Sequence, residues 1–496
     1  MSLKRGVLSN YLGQFWIAIM SFAFIPLYIK YLGIEAYGLI GIFAVLQAWL
    51  SLVDAALTPM LNREMAFFKA GTHSVESIRN LLRSIEYIGL IFGILVAASI
   101  YLSASWLSIN WLKNEDLPVE TVANAIAIMG LVAATRLLEG IYKSSIIGLQ
   151  DLVTYNITSS ILVTIRATGA IGVMMWISAS IESFFIWQFI MSAVSIIIYG
   201  IIAYKEIPKY SERSKFSVGA VKKVLNFSGG LIGITFLALL LTQIDKVLLL
   251  RLLTLGEYGY YVLAGTLASS LYMLITPITQ ALYPRMCELH AQSNEDEIIK
   301  KYHLGSQLVS IFMGSFTIVM VTYSYEILTI WTGNSEIANH ASTLLKIMAA
   351  GNLLNGIMWV PYQTQLAYGW TSLSLKINLI MILIIIPGVI YITPIYGAVG
   401  AASIWLVLNS LYVLIGVNFM YKKILINERW RWYIDDILKP IGFSSLLAYL
   451  LKIVMPNNLN SIYQLFWIFI TLVGIITVGT ISSSNVRIML LKKIEL

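Results

Sequence analysis

Apolar residues in this chain come in runs of about twenty, separated by short polar punctuation, the length a helix needs to cross a bilayer. The runs predict about fourteen spans, at roughly 9–29, 37–58, 84–106, 122–144, 155–176, 184–204, 228–250, 258–283, 304–324, 341–366, 377–393, 397–420, 440–455 and 461–482. The shortest are 377–393 and 440–455. Lys4 and Arg5 precede the first run as they would in a signal peptide. That run is too long for a signal h-region and another span follows at once, so it reads as an uncleaved first helix.

Charge in the punctuation sets an orientation. With the N-terminus inside, the cytoplasmic loops carry Arg63, Lys69, Arg79 and Arg83, then Lys143, then Lys205, Lys209, Arg213, Lys215, Lys222 and Lys223. Later ones carry Arg285, Lys300, Lys301, Lys376, Lys422, Lys423, Arg429, Arg431 and Lys439, and the tail carries Arg487, Lys492 and Lys493. The opposite loops hold little beyond Lys30, Lys113, Arg251 and Lys452. This asymmetry satisfies the positive-inside rule and places both termini in the cytoplasm.

The longest basic loop divides the chain, and similar punctuation recurs on both sides of it. Leu32-Gly33-Ile34-Glu35-Ala36-Tyr37-Gly38 is matched by Leu255-Gly256-Glu257-Tyr258-Gly259. Pro59 with Asn62-Arg63-Glu64 is matched by Pro284-Arg285-Met286-Cys287-Glu288. A repeat of six helices is the simplest account. The expected organisation is an N-terminal lobe at 1–204, a basic cytoplasmic linker at 205–227, a C-terminal lobe at 228–424, and an extra helix pair with a cytoplasmic tail at 425–496. Transporters commonly bind their substrate between such repeats.

Composition agrees: of 496 residues 58% are hydrophobic and 12% charged, with a mean hydropathy of +0.80. Soluble domains carry about 25% charged residues. The net charge of +8 lies in the cytoplasmic loops, where it faces anionic lipid headgroups rather than nucleic acid. The single Cys287 excludes a disulfide framework. His73, His290, His303 and His340 fall in or beside predicted loops without metal-site spacing. No metal and no cofactor is expected.

Ionisable residues inside spans cost about 2.5–3.5 kcal/mol each on insertion scales and usually face a wet cavity or each other. Span 4 carries Arg136, Glu139 and Lys143 on one helical face, either as a local Arg136–Glu139 pair or as a cavity-lining stripe. Span 5 carries Arg166 near its middle with no acid within a turn. It needs a partner on another helix, water or an anionic ligand. Span 7 carries Asp245 and Lys246, about 100° apart around the helix and so not expected to pair on one face. Lys246 and Lys346 can also snorkel to the interface, and Asn352 and Asn355 in span 10 can serve as helix glue. Asp54 in span 2 is a candidate proton site or a partner for Arg63. The candidate substrate-binding set is Arg166, Arg136, Lys246, Lys346, Asn352 and Asn355, and the candidate ion-coupling set is Asp245, Glu139 and Asp54. A basic cavity suits an anion such as a pyrophosphate, which arginine grips with a planar fork.

Nothing in the chain matches a nucleotide-binding P-loop, a G-x-S-x-G elbow or an H-E-x-x-H helix. No outer loop is long enough to form a catalytic domain. Trp106, Trp111, Trp331 and Trp467 read as interface anchors, and Gly89 with Gly93 as a packing motif.

The stretch Leu8-Ser9-Asn10-Tyr11-Leu12-Gly13, with Pro26-Leu27-Tyr28 and Leu32-Gly33, resembles the start of Wzx-type O-antigen and capsule-repeat flippases. Asn62-Arg63-Glu64, Gly148-Leu149-Gln150 and Tyr396-Gly397-Ala398-Val399-Gly400-Ala401 are similar too. That family belongs to the multidrug/oligosaccharidyl-lipid/polysaccharide exporter superfamily. The resemblance implies an all-α integral membrane fold with two six-helix lobes in a V-shaped, MATE-like arrangement plus two C-terminal helices. It implies alternating access, exchange against protons or cations, and a bacterial cytoplasmic membrane. The implied substrate is an undecaprenyl-pyrophosphate-linked oligosaccharide moved to the outer leaflet for polysaccharide synthesis. The implied partners are membrane lipids, a polysaccharide polymerase and a chain-length regulator. Two rivals stand beside this reading: a multidrug or cation antiporter of the same fold, and a membrane glycosyltransferase or polymerase acting on the same lipid carrier.

Overall fold

The computed structural model describes residues 3–209, 215–456 and 459–494, and the side chains of 3–8, 56, 218–232, 234 and 490–494 fall outside that description. Arg213 therefore lies outside the described residues, as do the side chains of Lys4, Arg5, Lys222, Lys223, Lys492 and Lys493. Among the described residues the regular structure is helical, apart from one isolated bridge between Lys113 and Thr254. The chain forms two compact units, Met1–Gly259 and Tyr260–Leu496.

The first unit contains α1 (Leu3–Ala23), α2 (Ile25–Leu32), α3 (Ile34–Lys69), α4 (Val75–Asn110), α5 (Val119–Gly148), α6 (Leu152–Trp176), α7 (Ile181–Glu206), α8 (Val218–Leu252) and the start of α9 (Leu255–Ser269). The helix starts have local causes. Ser74 and Ser180 accept backbone N–H bonds from Ser77 and Ser183 and so cap α4 and α7. Gly33 reaches φ 86° between α2 and α3, a conformation glycine adopts freely. α5 packs against α3, α4 and α7 and is the centre of the unit. Gly93 brings α4 to within 3.3 Å of the Ala134 carbonyl, measured to a Cβ built on it, so the Gly89/Gly93 motif packs helices as expected. Buried Glu86 ties three helices, accepting from Arg83 (2.9 Å), Tyr142 (2.9 Å) and Tyr204 (2.8 Å).

The two matching Tyr-Gly turns touch each other. A Cβ on Gly38 would strike the Leu255 carbonyl, and one on Gly259 would strike the Ile34 carbonyl. Gly38 and Gly259 both close the repeated Tyr-Gly turn. Each glycine thus lets the backbone of the other turn approach. The matched acids diverge. Glu35 accepts the backbone N–H groups of Glu115, Asp116 and Leu117 at 2.8–2.9 Å, whereas Glu257 forms a capping box with Thr254.

The second unit continues through α10 (Leu271–Ala291), α11 (Glu295–Thr322), α12 (Ser324–Thr332), α13 (Ser335–Ile357), α14 (Trp359–Ala367), α15 (Ser372–Leu411), α16 (Val417–Tyr421), α17 (Arg429–Arg431), α18 (Lys439–Ile453), α19 (Ser461–Ser482) and α20 (Ser484–Ile494). π-helical segments at Tyr412–Gly416 and Trp432–Leu438 join α15 to α16 and α17 to α18. The extra pair α18 and α19 packs on α11 through Ile318, Tyr323, Ala448, Ile468 and Ile475. Trp467, expected as an interface anchor, packs against this cluster and donates to the Leu451 carbonyl.

Eleven helices among the described residues are long and apolar enough to cross a membrane. The difference from the expected fourteen arises at three places. The run 228–250 lies in α8, where part of the side chains is outside the description. The runs 377–393 and 397–420 count as one, although Gly397 (φ 59°, ψ −149°) breaks the helix between them. The run 440–455 lies in α18, which has only 15 residues and is preceded by the π-helical segment. Apolar side chains such as Leu102, Ile197, Leu383 and Ile462 are exposed, which lipid rather than water tolerates.

Candidate functional site

The charged residues of spans 2, 4 and 5 come together. Gln47 and Asp54 from α3, Arg136, Glu139 and Lys143 from α5, and Arg166 from α6 line one cavity of about 270 Å³ inside the first unit. Spacings of three, four and seven keep each helix's contributors on one face. Gly140 makes the α3–α5 approach possible: a Cβ there would lie 3.1 Å from Asp54 Oδ1.

Glu139 is 3% exposed. It accepts from Lys143 Nζ at 2.6 Å and from Arg166 Nη2 at 3.3 Å. The local Arg136–Glu139 pair does not form as a hydrogen bond. Instead Arg136 Nη2 donates to Gln188 of α7 at 3.3 Å, and its guanidinium lies 4.9 Å from the Phe43 ring centre. Arg166 Nη2 also donates to Ser195 Oγ at 3.2 Å, and its backbone carbonyl accepts from Trp187 Nε1 at 3.0 Å. Glu139 and Ser195 therefore hold the guanidinium through one nitrogen, Nη2.

These contacts leave donors over. Arg136 Nε, Arg166 Nε and Gln47 Nε2 are buried with no hydrogen-bond acceptor among the described residues. An unsatisfied buried donor costs about 1–3 kcal/mol, more when charged. All three residues line the cavity. The charges agree: Arg136, Lys143 and Arg166 face Asp54 and Glu139, three cations against two carboxylates.

Other expected site residues lie elsewhere. Asp245 and Lys246 do pair, at 3.4 Å, against the expectation from their angular separation. The lysine curls back along α8, and its Nζ also donates to the Thr242 carbonyl at 2.6 Å. Lys346 is exposed. Asn352 Oδ1 accepts from Trp405 Nε1 (2.9 Å) and Tyr272 OH (3.3 Å), and Asn355 Nδ2 donates to Asn409 (2.9 Å). With Tyr272 also on Asn355, these amides bind α10, α13 and α15 together. Gln47 and Gln188 escaped the sequence reading because it followed charge. A lone amide mid-span was the available signal. His303 also differs from its loop placement: it is fully buried in α11.

Membrane-spanning helices around a cation-rich cavity define a multi-pass membrane protein. The chain belongs to the family described as "Polysaccharide biosynthesis protein", whose profile matches residues 3–290, and the MatE profile matches residues 231–391. A Shigella flexneri protein assigned as an O-antigen transporter is 20% identical over 398 residues, 78% of this chain and 90% of its own length. The lipopolysaccharide biosynthesis protein WzxC of Escherichia coli (strain K12) is 23% identical over 54% of each chain. Among solved structures, the lipid II flippase MurJ in an inward closed conformation shares the fold with a TM-score of 0.71, 16% identity and coverage of 98% of this chain and 99% of its own. An inward-facing multidrug resistance MATE family transporter gives a TM-score of 0.63 at 12% identity, covering 82% of this chain and 96% of its own.

Proposed function

We propose that the chain is a flippase carrying an undecaprenyl-pyrophosphate-linked oligosaccharide from the inner to the outer leaflet by alternating access, for O-antigen or capsule synthesis. The observation that carries this reading is one cavity lined by Arg136, Lys143 and Arg166 against only Asp54 and Glu139, an excess of positive charge inside the first unit. A pyrophosphate balances that charge and matches the guanidinium fork. The prenyl chain stays in lipid while the charged head enters. Glu139 and Asp54 share the cavity and are the residues we assign to coupling with a proton or cation gradient. Asp245 is the third candidate, outside the cavity. Lys246, Lys346, Asn352 and Asn355 stay outside the diphosphate site, since none lines the cavity. The names of the relatives support the substrate class, and the positive-inside pattern supports a cytoplasmic membrane with both termini inside. A polymerase and a chain-length regulator follow as downstream partners.

The MatE match favours a multidrug or cation antiporter as the rival. A chamber for cations needs carboxylates in excess, and here cations outnumber them. Cells lacking the protein are expected to accumulate single lipid-linked repeats on the inner leaflet and to lose surface polysaccharide. Repeats that reach the outer leaflet but stay unpolymerised would assign the chain to polymerisation instead. Drug sensitivity with normal polysaccharide would assign it to the antiporter class.

A further inference from the structure

A second charged cluster lies in Tyr260–Leu496, apart from the cavity. His303 of α11 is fully buried, and each of its ring nitrogens faces a carboxylate: Nδ1 lies 2.5 Å from Asp436 and Nε2 lies 2.8 Å from Glu428. Asp436 is also fully buried and accepts from Gln307 Nε2 at 2.9 Å. Gln307 Oε1 in turn accepts the backbone N–H groups of Asn485 (2.9 Å) and Val486 (3.3 Å) at the start of α20. One network thus fastens the 428–438 segment and the start of α20 to α11. Both ring nitrogens are occupied by carboxylates, so the imidazole has no free lone pair for a metal.

The geometry counts protons. A nitrogen–oxygen contact at these distances needs a proton between the two atoms, because two facing lone pairs repel. Two contacts need two protons, held either as an imidazolium with two carboxylates or as a neutral ring with one carboxylic acid. Loss of one proton leaves a ring nitrogen facing a carboxylate with nothing between them. We propose that His303, Asp436 and Glu428 form a proton-binding site whose second proton locks the 428–438 segment and the start of α20 onto α11. The proton leaves to water through Glu428, the rim member, whose side chain is 19% exposed. No other bond is made or broken. The cluster's role does not depend on what the cavity carries.

The other groups facing the triad are few. Arg431 lies 3.5 Å from Glu428 and close enough to Asp436 to interact with its charge, as do the phenols of Tyr302 and Tyr421. Tyr302 and Tyr421 are bonded to each other at 2.6 Å. Arg487 of α20 is turned to the Ile481 carbonyl at 3.2 Å, and Asp435 to Lys439. None of these replaces the missing proton between a ring nitrogen and a carboxylate.

The test uses the full chain in lipid nanodiscs, with nitroxide labels at exposed Gln292 and Ile488 (Q292C and I488C in a C287S background). Spin–spin distances are measured from about pH 5 to about pH 10, the range that brackets histidine titration. The unsubstituted triad should show one narrow distance at the acidic end. A longer, broader population should grow at the alkaline end with a one-proton slope, by at least about tenfold for the loss of one charge-assisted bond. Asp436→Asn discriminates. An asparagine donates from Nδ2 to the ring nitrogen and still accepts from Gln307, so a neutral His303 satisfies every contact with one proton fewer. D436N should therefore keep the narrow distance across the whole range. His303→Gln, which cannot titrate, should lose the pH step. A distance independent of pH with the native triad would overturn the proposal, and so would a D436N protein that is open at every pH.

Discussion

Arg166→Ala is expected to lower surface polysaccharide about ten- to a hundredfold per molecule of protein, the loss of one charge-assisted bond of about 1.5–3 kcal/mol. The expectation follows from how the side chain is held. Ser195 Oγ and Glu139 both sit on Nη2, while Nε is buried without an acceptor. Nη2 thus fixes the guanidinium, and the positive charge it carries is what Arg166 brings to the cavity. Arg166→Lys keeps the charge but not the planar fork, and should fall between the alanine variant and the native protein. The measurement is polysaccharide at the cell surface, divided by protein level, in cells whose only copy is the variant. Native polysaccharide with Arg166→Ala would remove this residue from the substrate site.

Glu139→Ala is expected to act on stability first. It leaves Arg136, Lys143 and Arg166 facing Asp54 alone, and breaking a buried ion pair by removing one partner costs about 3–5 kcal/mol. The apparent melting temperature of the purified protein should fall by many degrees. Glu139→Gln, which keeps the volume and one acceptor, should fall less. The double variant E139A/R166A should be less destabilised than the two single losses added together, because each single change strands the partner that the other removes. Equal melting temperatures for Glu139→Ala and the native chain would show that Glu139 does not neutralise the cavity.

Much of this was legible beforehand, for identifiable reasons. Long apolar runs leave little choice but helices, since every backbone polar group must be satisfied within lipid. Arg136, Glu139, Lys143, Arg166 and Asp54 stood out because ionised groups are rare inside spans. Partner choice was not legible. Residues three and four away from Glu139 on α5 are nearly equivalent neighbours, and what selects Lys143 over Arg136 is the placement of α6 and α7, which brings Arg166 to Glu139 and Gln188 to Arg136. Gln47 was missed because an uncharged amide costs little enough to pass as helix glue. His303 was missed because the apolar run starts at 304, whereas α11 begins at Glu295 behind an Asn294 cap, so that its polar first turns look like loop in sequence and are helix in space. The Asp245–Lys246 pair shows the converse error. Helical angles describe where side chains leave the backbone, not where a four-carbon stem can bring an ammonium group.

The flippase reading stands or falls on whether the cation-rich cavity of the first unit holds a diphosphate. Titrating the purified protein with farnesyl diphosphate, beside farnesol and inorganic pyrophosphate, and reading the shift in thermal stability tests it most directly. Both diphosphates are expected to stabilise the protein, by an amount that weakens with salt, is absent with farnesol, and disappears in Arg136→Ala and Arg166→Ala. Stabilisation by farnesol equal to that by its diphosphate, or a diphosphate response unchanged in both arginine variants, would contradict it.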